Sequence, residues 1–245
     1  MAEFDRPTIA AARAGTAAAI DEGLRSYMLK VYNYMGLGLV VTGLVAWFSN
    51  QAAVADGQLT TWGALLYTSP LMWVVALSPL AFVLVLSFGI NKLSVPAAQG
   101  VFWGFAAVMG LSLSSIFMVY TDASIAKVFF ITAATFGAMS LYGYTTKRDL
   151  TGVGNFLIMG LIGLIIASLV NIFLQSSMLD FAISAIGVLV FVGLTAYDTQ
   201  KIKESYSASF GAEVLAKGAI MGALNLYLDF INLFLMLLRL FGNRE

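Results

Sequence analysis

Seven separate runs of apolar residues, each about as long as a bilayer is thick, constrain this chain more than any motif in it. They are Val31 to Phe48, Leu71 to Ile90, Val101 to Tyr120, Val128 to Tyr144, Phe156 to Leu174, Phe181 to Tyr197 and Gly218 to Leu240. A helix of roughly 20 apolar residues crosses about 30 Å of hydrocarbon. The runs are continuous rather than alternating, which excludes a lipid-facing β-barrel. Charges and turn formers separate them: Asn50-Gln51, Asn91-Lys92, Thr121-Asp122, Lys147-Arg148-Asp149 and Gln175-Ser176-Ser177. The expected fold is therefore all-α, a polytopic membrane protein built as a seven-transmembrane-helix bundle. Composition agrees: 60% of the 245 residues are hydrophobic and 11% charged, against about 45–50% and about 25% in a soluble domain.

No long linker divides the chain, so one membrane domain is expected over residues 27–245, preceded by a cytoplasmic tail over residues 1–26. The tail does not read as a signal peptide, because it carries Glu3, Asp5, Asp21 and Glu22 and no bulky apolar run. Its Ala-rich stretch from Ile9 to Ile20 favours a partly helical, solvated segment. Orientation follows from the basic residues. Alternating the seven spans places Arg6, Arg13, Arg25, Lys30, Lys92, Lys147, Arg148, Lys201, Lys203 and Lys217 on the side of the N-terminus, and Lys127, Arg239 and Arg244 on the other. The excess predicts a cytoplasmic N-terminus and an external C-terminus. A seventh span that re-entered without crossing would leave both termini inside and satisfy the rule equally. Within the spans, Gly100 and Gly104, Gly160 and Gly163, and Gly218 and Gly222 have the spacing of close helix packing. Pro79 is expected to kink the second span, because its ring removes one backbone bond.

The chain has 13 basic and 13 acidic residues, and it lacks both Cys and His. Without a basic surplus, nucleic acid is not an expected partner. Without Cys or His there is no thiol nucleophile, no zinc site of the usual ligand sets and no Ser–His chemistry. No cofactor is expected, and no tightly bound metal. The surrounding lipid bilayer is the first partner.

Ionisable groups inside membrane spans are costly and are functional candidates by default. Asp229 lies in the middle of the seventh span and Asp198 at the end of the sixth. Gly218, Gly222, Asn225, Asp229 and Asn232 recur at intervals of four and three, which is one helix face. That stripe is expected to face the bundle interior or a water-filled cavity. Leu226, Leu233, Phe234 and Leu237 lie opposite, against lipid or neighbouring helices. A purely structural polar core is the plainer alternative. A hairpin of the last two spans, turning within Ser205 to Ala216, brings the two aspartates to similar levels without forcing contact. If they meet, both cannot ionise cheaply. A proton is then shared, or a cation is drawn in. Calcium takes six to eight oxygens, so two carboxylates with Asn or backbone oxygens form an incomplete cage, suited to passage rather than storage.

Several segments now combine: Leu24-Arg25-Ser26-Tyr27 with Lys30-Val31-Tyr32, Gly110-Leu111-Ser112-Leu113-Ser114, Ala196-Tyr197-Asp198-Thr199-Gln200, and Leu226-Tyr227-Leu228-Asp229-Phe230-Ile231-Asn232-Leu233-Phe234. From about Leu24 to Gly242 the chain resembles the Bax inhibitor-1 family of multi-spanning membrane proteins, and is similar to its bacterial members. The resemblance implies a seven-helix bundle with the last helix central, in the inner membrane of a bacterial cell. It implies a pH-sensitive leak for calcium or other cations, with Asp198 and Asp229 as sensor and gate; Tyr197, beside Asp198, and Asn225 and Asn232, on the stripe, are the expected supporting polar groups. In some relatives a basic residue on an early helix latches the aspartates. This chain has no Lys or Arg between Lys30 and Lys92, so that latch is missing or replaced. The resemblance also implies an alternative, a non-conducting regulator that binds a membrane-embedded protease in stress protection.

An enzyme is not expected. Tyr197-Asp198 matches half of an intramembrane aspartyl protease motif, but the glycines required before Asp229 are absent and no Pro follows Pro96. The seventh span has no buried Lys for a retinal Schiff base.

Overall fold

The computed structural model of the protein describes residues 6–244, with side chains from Ile20 to Arg244. Most of the expected 1–26 tail lies outside the described side chains. Eight helices follow in order: α1 (Arg6–Ala53), α2 (Thr61–Tyr67), α3 (Leu71–Gly89), α4 (Val95–Leu113), α5 (Asp122–Thr145), α6 (Thr151–Leu174), α7 (Ser177–Glu204) and α8 (Ala212–Phe241). Seven of them are long and apolar enough to cross a membrane, and they coincide with the seven apolar runs. Most extend beyond those runs because polar end turns still bond as helix. Thr121 and Ser176, among the expected boundary residues, are the N-caps of α5 and α7. Their hydroxyls accept from amides that would otherwise lack a partner.

The short α2 and the hairpin before it were not expected. Val54–Ala55 pairs antiparallel with Gln58–Leu59, through Asp56 at φ 52° and Gly57 at φ 73°. Two positive φ values in a two-residue loop suit Asp-Gly. A 3-10 turn, Ser114–Met118, prolongs α4. Pro79 lies buried inside α3. Val75, whose carbonyl loses the amide donor that proline lacks, accepts instead from the Ser78 hydroxyl at 2.9 Å.

Helix α8 is the axis of the bundle. It packs against α1, α3, α4, α5 and α7, while α6 rests on α7 and α3 on α4. Its far end sits beside the α4–α5 connection: the Thr121 amide donates to the Asn243 carbonyl at 3.2 Å, and the Asn243 amide to Ser124 Oγ at 2.9 Å. Arg239 lies 3.8 Å from Asp180 at the start of α7. The last helix thus runs the full depth of the bundle. The turn before it is shorter than expected, because α8 already begins at Ala212.

Of the two surroundings expected for the face of α8 opposite the polar stripe, neighbouring helices are the one found, while the expectation for the paired glycines is corrected in part. Leu226 and Leu233 are fully buried, and Phe234 and Leu237 nearly so, whereas Asn225 and Asn232 are only half-buried. A helix enclosed by five others has no lipid face for a polar–apolar contrast to mark. Of the paired glycines, Gly100 and Gly163 face open space, while Gly104, Gly218 and Gly222 do meet side chains of other helices. The tightest crossings are elsewhere. A Cβ on Gly143 of α5 would lie 2.2 Å from the Ala196 carbonyl oxygen of α7, and one on Gly110 of α4 would lie 2.6 Å from that of Thr42 in α1.

Candidate functional site

The crossing of α5, α7 and α8 positions the aspartates. Gly143 lets α5 approach α7 at Ala196, two residues before Asp198. Ile202 of α7 packs over Gly222 of α8, one turn from Asn225 and two from Asp229. The Asp198 and Asp229 carboxyl groups lie within hydrogen-bonding reach of each other. Asp198 is half-buried and Asp229 is buried, at 5% exposure. The Oδ2 atom of Asp229 is enclosed and has no hydrogen-bond donor. Carboxylate oxygens only accept, so two facing carboxylates lack anything to join them. A buried charge without a partner is costly. A proton on one of the two, or a cation between them, completes the pair. Lys201, three residues along α7, adds a positive field at Asp198. Among the described residues, no group of three or more acidic, His or Cys side chains converges, so the two carboxyls stand by themselves.

The supporting residues named from sequence diverge. Tyr197 turns to α6, where its ring covers Gly154, with Lys201 Nζ 5.7 Å from the ring centre. Asn232 Nδ2 donates to the Leu228 carbonyl of its own helix at 2.8 Å. Asn225 lies one turn before Asp229 on the same helix.

Polar groups that sequence reasoning left without a role surround the site. Tyr32 of α1 and Ser140 of α5 share a hydrogen bond of 2.5 Å, and Ser140 and Thr199 of α7 share another of 3.0 Å. Three hydroxyls therefore tie three helices together beside Asp198. Gln200 clamps the α5–α6 connection, accepting from the Leu150 amide at 2.8 Å and donating to the Arg148 carbonyl at 2.8 Å. In that connection Asp149 accepts from the Thr151 amide at 2.8 Å. The Thr151 hydroxyl and amide hold its carboxyl below the usual carboxylate range, so this cap is complete at neutral pH and is lost as the pH falls through that lowered value. Deeper in, the Tyr227 hydroxyl and Thr42 Oγ1 are 2.6 Å apart, and Thr42 donates to the Ala106 carbonyl at 2.7 Å. Tyr32, Tyr227, Thr199 and Gln200 all stood in the resembling segments. The signal for them was present, but not the partners that give each a role.

The whole of this site falls within one family. Residues 24–245 match the family model described as inhibitor of apoptosis-promoting Bax1. The chain is 53% identical to the inner membrane protein YbhL of Escherichia coli over 232 residues, which cover 91% of this chain and 94% of that protein. It is 51% identical to an uncharacterized protein of Rickettsia prowazekii over 92% of each. It is 39% identical to the uncharacterized protein YrjE of Lactococcus lactis, over 90% of this chain and 92% of that one. With seven apolar helices, α8 central among them, and these relatives along nearly its whole length, the chain belongs to the Bax inhibitor-1 family of membrane proteins.

Proposed function

We propose that the protein is a passive, pH-sensitive leak for calcium or other cations, gated by Asp198 and Asp229. One observation carries the reading: Asp229 is buried beside a second carboxyl, with an oxygen that no protein donor satisfies. Holding a proton, the pair is neutral enough to stay packed. Losing it leaves two repelling negative charges in a poorly solvated place. That state favours either separation of α7 from α8 or entry of a cation. The Lys201 field and the incomplete oxygen set favour brief binding over storage. No step needs a basic latch from an early helix.

The test is cation flux in liposomes containing only this protein, measured from about pH 5 to about pH 9, a range in which buried carboxyls titrate. Flux that rises or falls with pH is the expected result. No flux at any pH overturns the leak and leaves the non-conducting regulator, bound to a membrane-embedded protease, as the reading to pursue. For orientation, the basic excess at the end holding Arg25, Lys92, Lys147 and Lys201 supports a cytoplasmic N-terminus. Because α8 runs the full depth of the bundle, a reporter fused after Glu245 is expected to be active only outside the cytoplasm. Cytoplasmic activity would reverse the orientation.

A further inference from the structure

A groove of about 520 Å³ runs between α1 and α5 on the outer wall of the bundle, lined by Arg25, Met28, Leu29, Tyr32, Phe136, Gly137, Ser140, Leu141 and Tyr144. From Arg25 to Tyr32 it follows two turns of α1, about 10 Å along the helix. Leu29 and Leu141 on its rims are exposed, at 50% and 62%. In a bilayer those rims face acyl chains, so the groove opens sideways into hydrocarbon. Its upper end is different. Arg25 is exposed there, at the end of α1 that holds the chain's basic excess. Asp21 and Glu22 stand one turn away, yet the ion pairs among the described residues are Lys217 with Glu213 and Arg239 with Asp180, so no carboxylate among those residues sits on the guanidinium. Lys203 Nζ, 2.8 Å from the Tyr144 carbonyl oxygen, adds a second positive charge at the same end. An apolar trough headed by cations matches one molecule that the surroundings supply in excess: a phospholipid whose phosphate meets Arg25 while one acyl chain lies along Met28, Phe136 and Gly137.

We infer that this groove is a binding site for an anionic phospholipid. The floor of the groove connects the lipid to the rest of the molecule. Tyr32 and Ser140 line it, and they are the first two members of the hydroxyl chain that ends at Thr199, next to Asp198. A seated chain therefore covers one end of the network that holds α1, α5 and α7 together. The site stands on the groove and on Arg25, whether or not the aspartates gate a leak.

Two variants separate the head from the trough. Arg25→Gln removes the charge. Gly137→Phe fills the trough, since Gly137 lines it and a Cβ built there meets nothing within 4 Å. Native mass spectrometry of the full chain in detergent, with phosphatidylglycerol or phosphatidylcholine added, is the readout, and unchanged melting temperatures establish that both variants fold. The expected result is one retained phosphatidylglycerol on the wild type, retention about fivefold weaker in Arg25→Gln, and none in Gly137→Phe. Equal retention of both lipids by the wild type would overturn the anionic head assignment, as would an Arg25→Gln protein whose preference for phosphatidylglycerol is as strong as that of the wild type. Full retention by a folded Gly137→Phe protein would overturn the site itself.

Discussion

Flux through a protein carrying Asn in place of Asp229 is expected to lose its dependence on pH. In the wild type, the space between Asp198 and Asp229 needs a proton or a cation, because neither carboxylate can donate and the Oδ2 atom of Asp229 has no other partner. Asparagine brings its own N–H to that space. The Asp198 carboxylate then accepts a permanent donor, and the exchangeable proton that couples the site to pH is gone. Asp198→Asn does the same from the α7 side, with Asp229 accepting. A site that binds one proton changes occupancy by up to about tenfold per pH unit, so the wild-type flux should vary over pH and each single variant should vary by less than about twofold. The sign of the change in rate is a separate matter, since the substitution both removes charge that attracts cations and removes the repulsion that parts the helices. The measurement is the full pH profile in liposomes, with the melting temperature of each variant as a control. Folded single variants that both keep the wild-type profile would show that the aspartates do not sense pH.

Replacing Gly143 with alanine is expected to destabilise the bundle by about 2–3 kcal/mol, the upper part of the range for inserting a methyl group into a packed core. The new Cβ would lie 2.2 Å from the Ala196 carbonyl oxygen and 2.9 Å from its carbonyl and α carbons. These are backbone atoms, which cannot rotate aside, so α5 and α7 must separate. That separation strains the Ser140–Thr199 hydrogen bond and the Gln200 clamp, both on the same face of α7. Gly137 supplies the internal comparison. It lies less than two turns away on the same helix, with nothing within 4 Å of a built Cβ. There alanine should be neutral or stabilising by up to about 1 kcal/mol, the helix-propensity difference between the two residues. Thermal unfolding of the two variants in detergent checks the pair, and equal shifts would mean that the α5–α7 crossing is looser than the structure has it.

The lipid site and the aspartate site share one consequence. Both depend on α5 sitting close to α7, one through Ser140 at the floor of the groove and the other through Gly143. A substitution that loosens that crossing should weaken lipid retention and alter flux together, whereas Arg25→Gln leaves the crossing intact.

Residue by residue, legibility differed sharply. The length of each span could be read from the apolar run because crossing a bilayer is a property of one segment at a time: each residue contributes its own transfer free energy, whatever its neighbours in space. For the same reason Asp198 and Asp229 stood out, as a carboxyl in hydrocarbon is anomalous wherever it ends up. The Asp56-Gly57 hairpin carried a local signal as well, but it was hidden between two long apolar runs. The partners of these residues were not legible. Nothing in the order of residues says that Tyr32 reaches Ser140 across 108 positions, that Gln200 holds Leu150 and Arg148, or that Leu226 is more deeply enclosed than Asn225.

By itself the sequence determined the seven crossings, the asymmetry of charge between the two ends and the identity of the intramembrane carboxyls. The tertiary structure decided that the carboxyls meet, that α8 is packed by five other helices, that Gly143 and not Gly100 or Gly163 marks a close crossing, and that a groove headed by Arg25 lies between α1 and α5. The division has a physical cause. Insertion into hydrocarbon is driven by hydrophobicity, which sums along a segment. Association of helices inside hydrocarbon has no such drive, and rests on shape and hydrogen bonds between residues far apart in the chain.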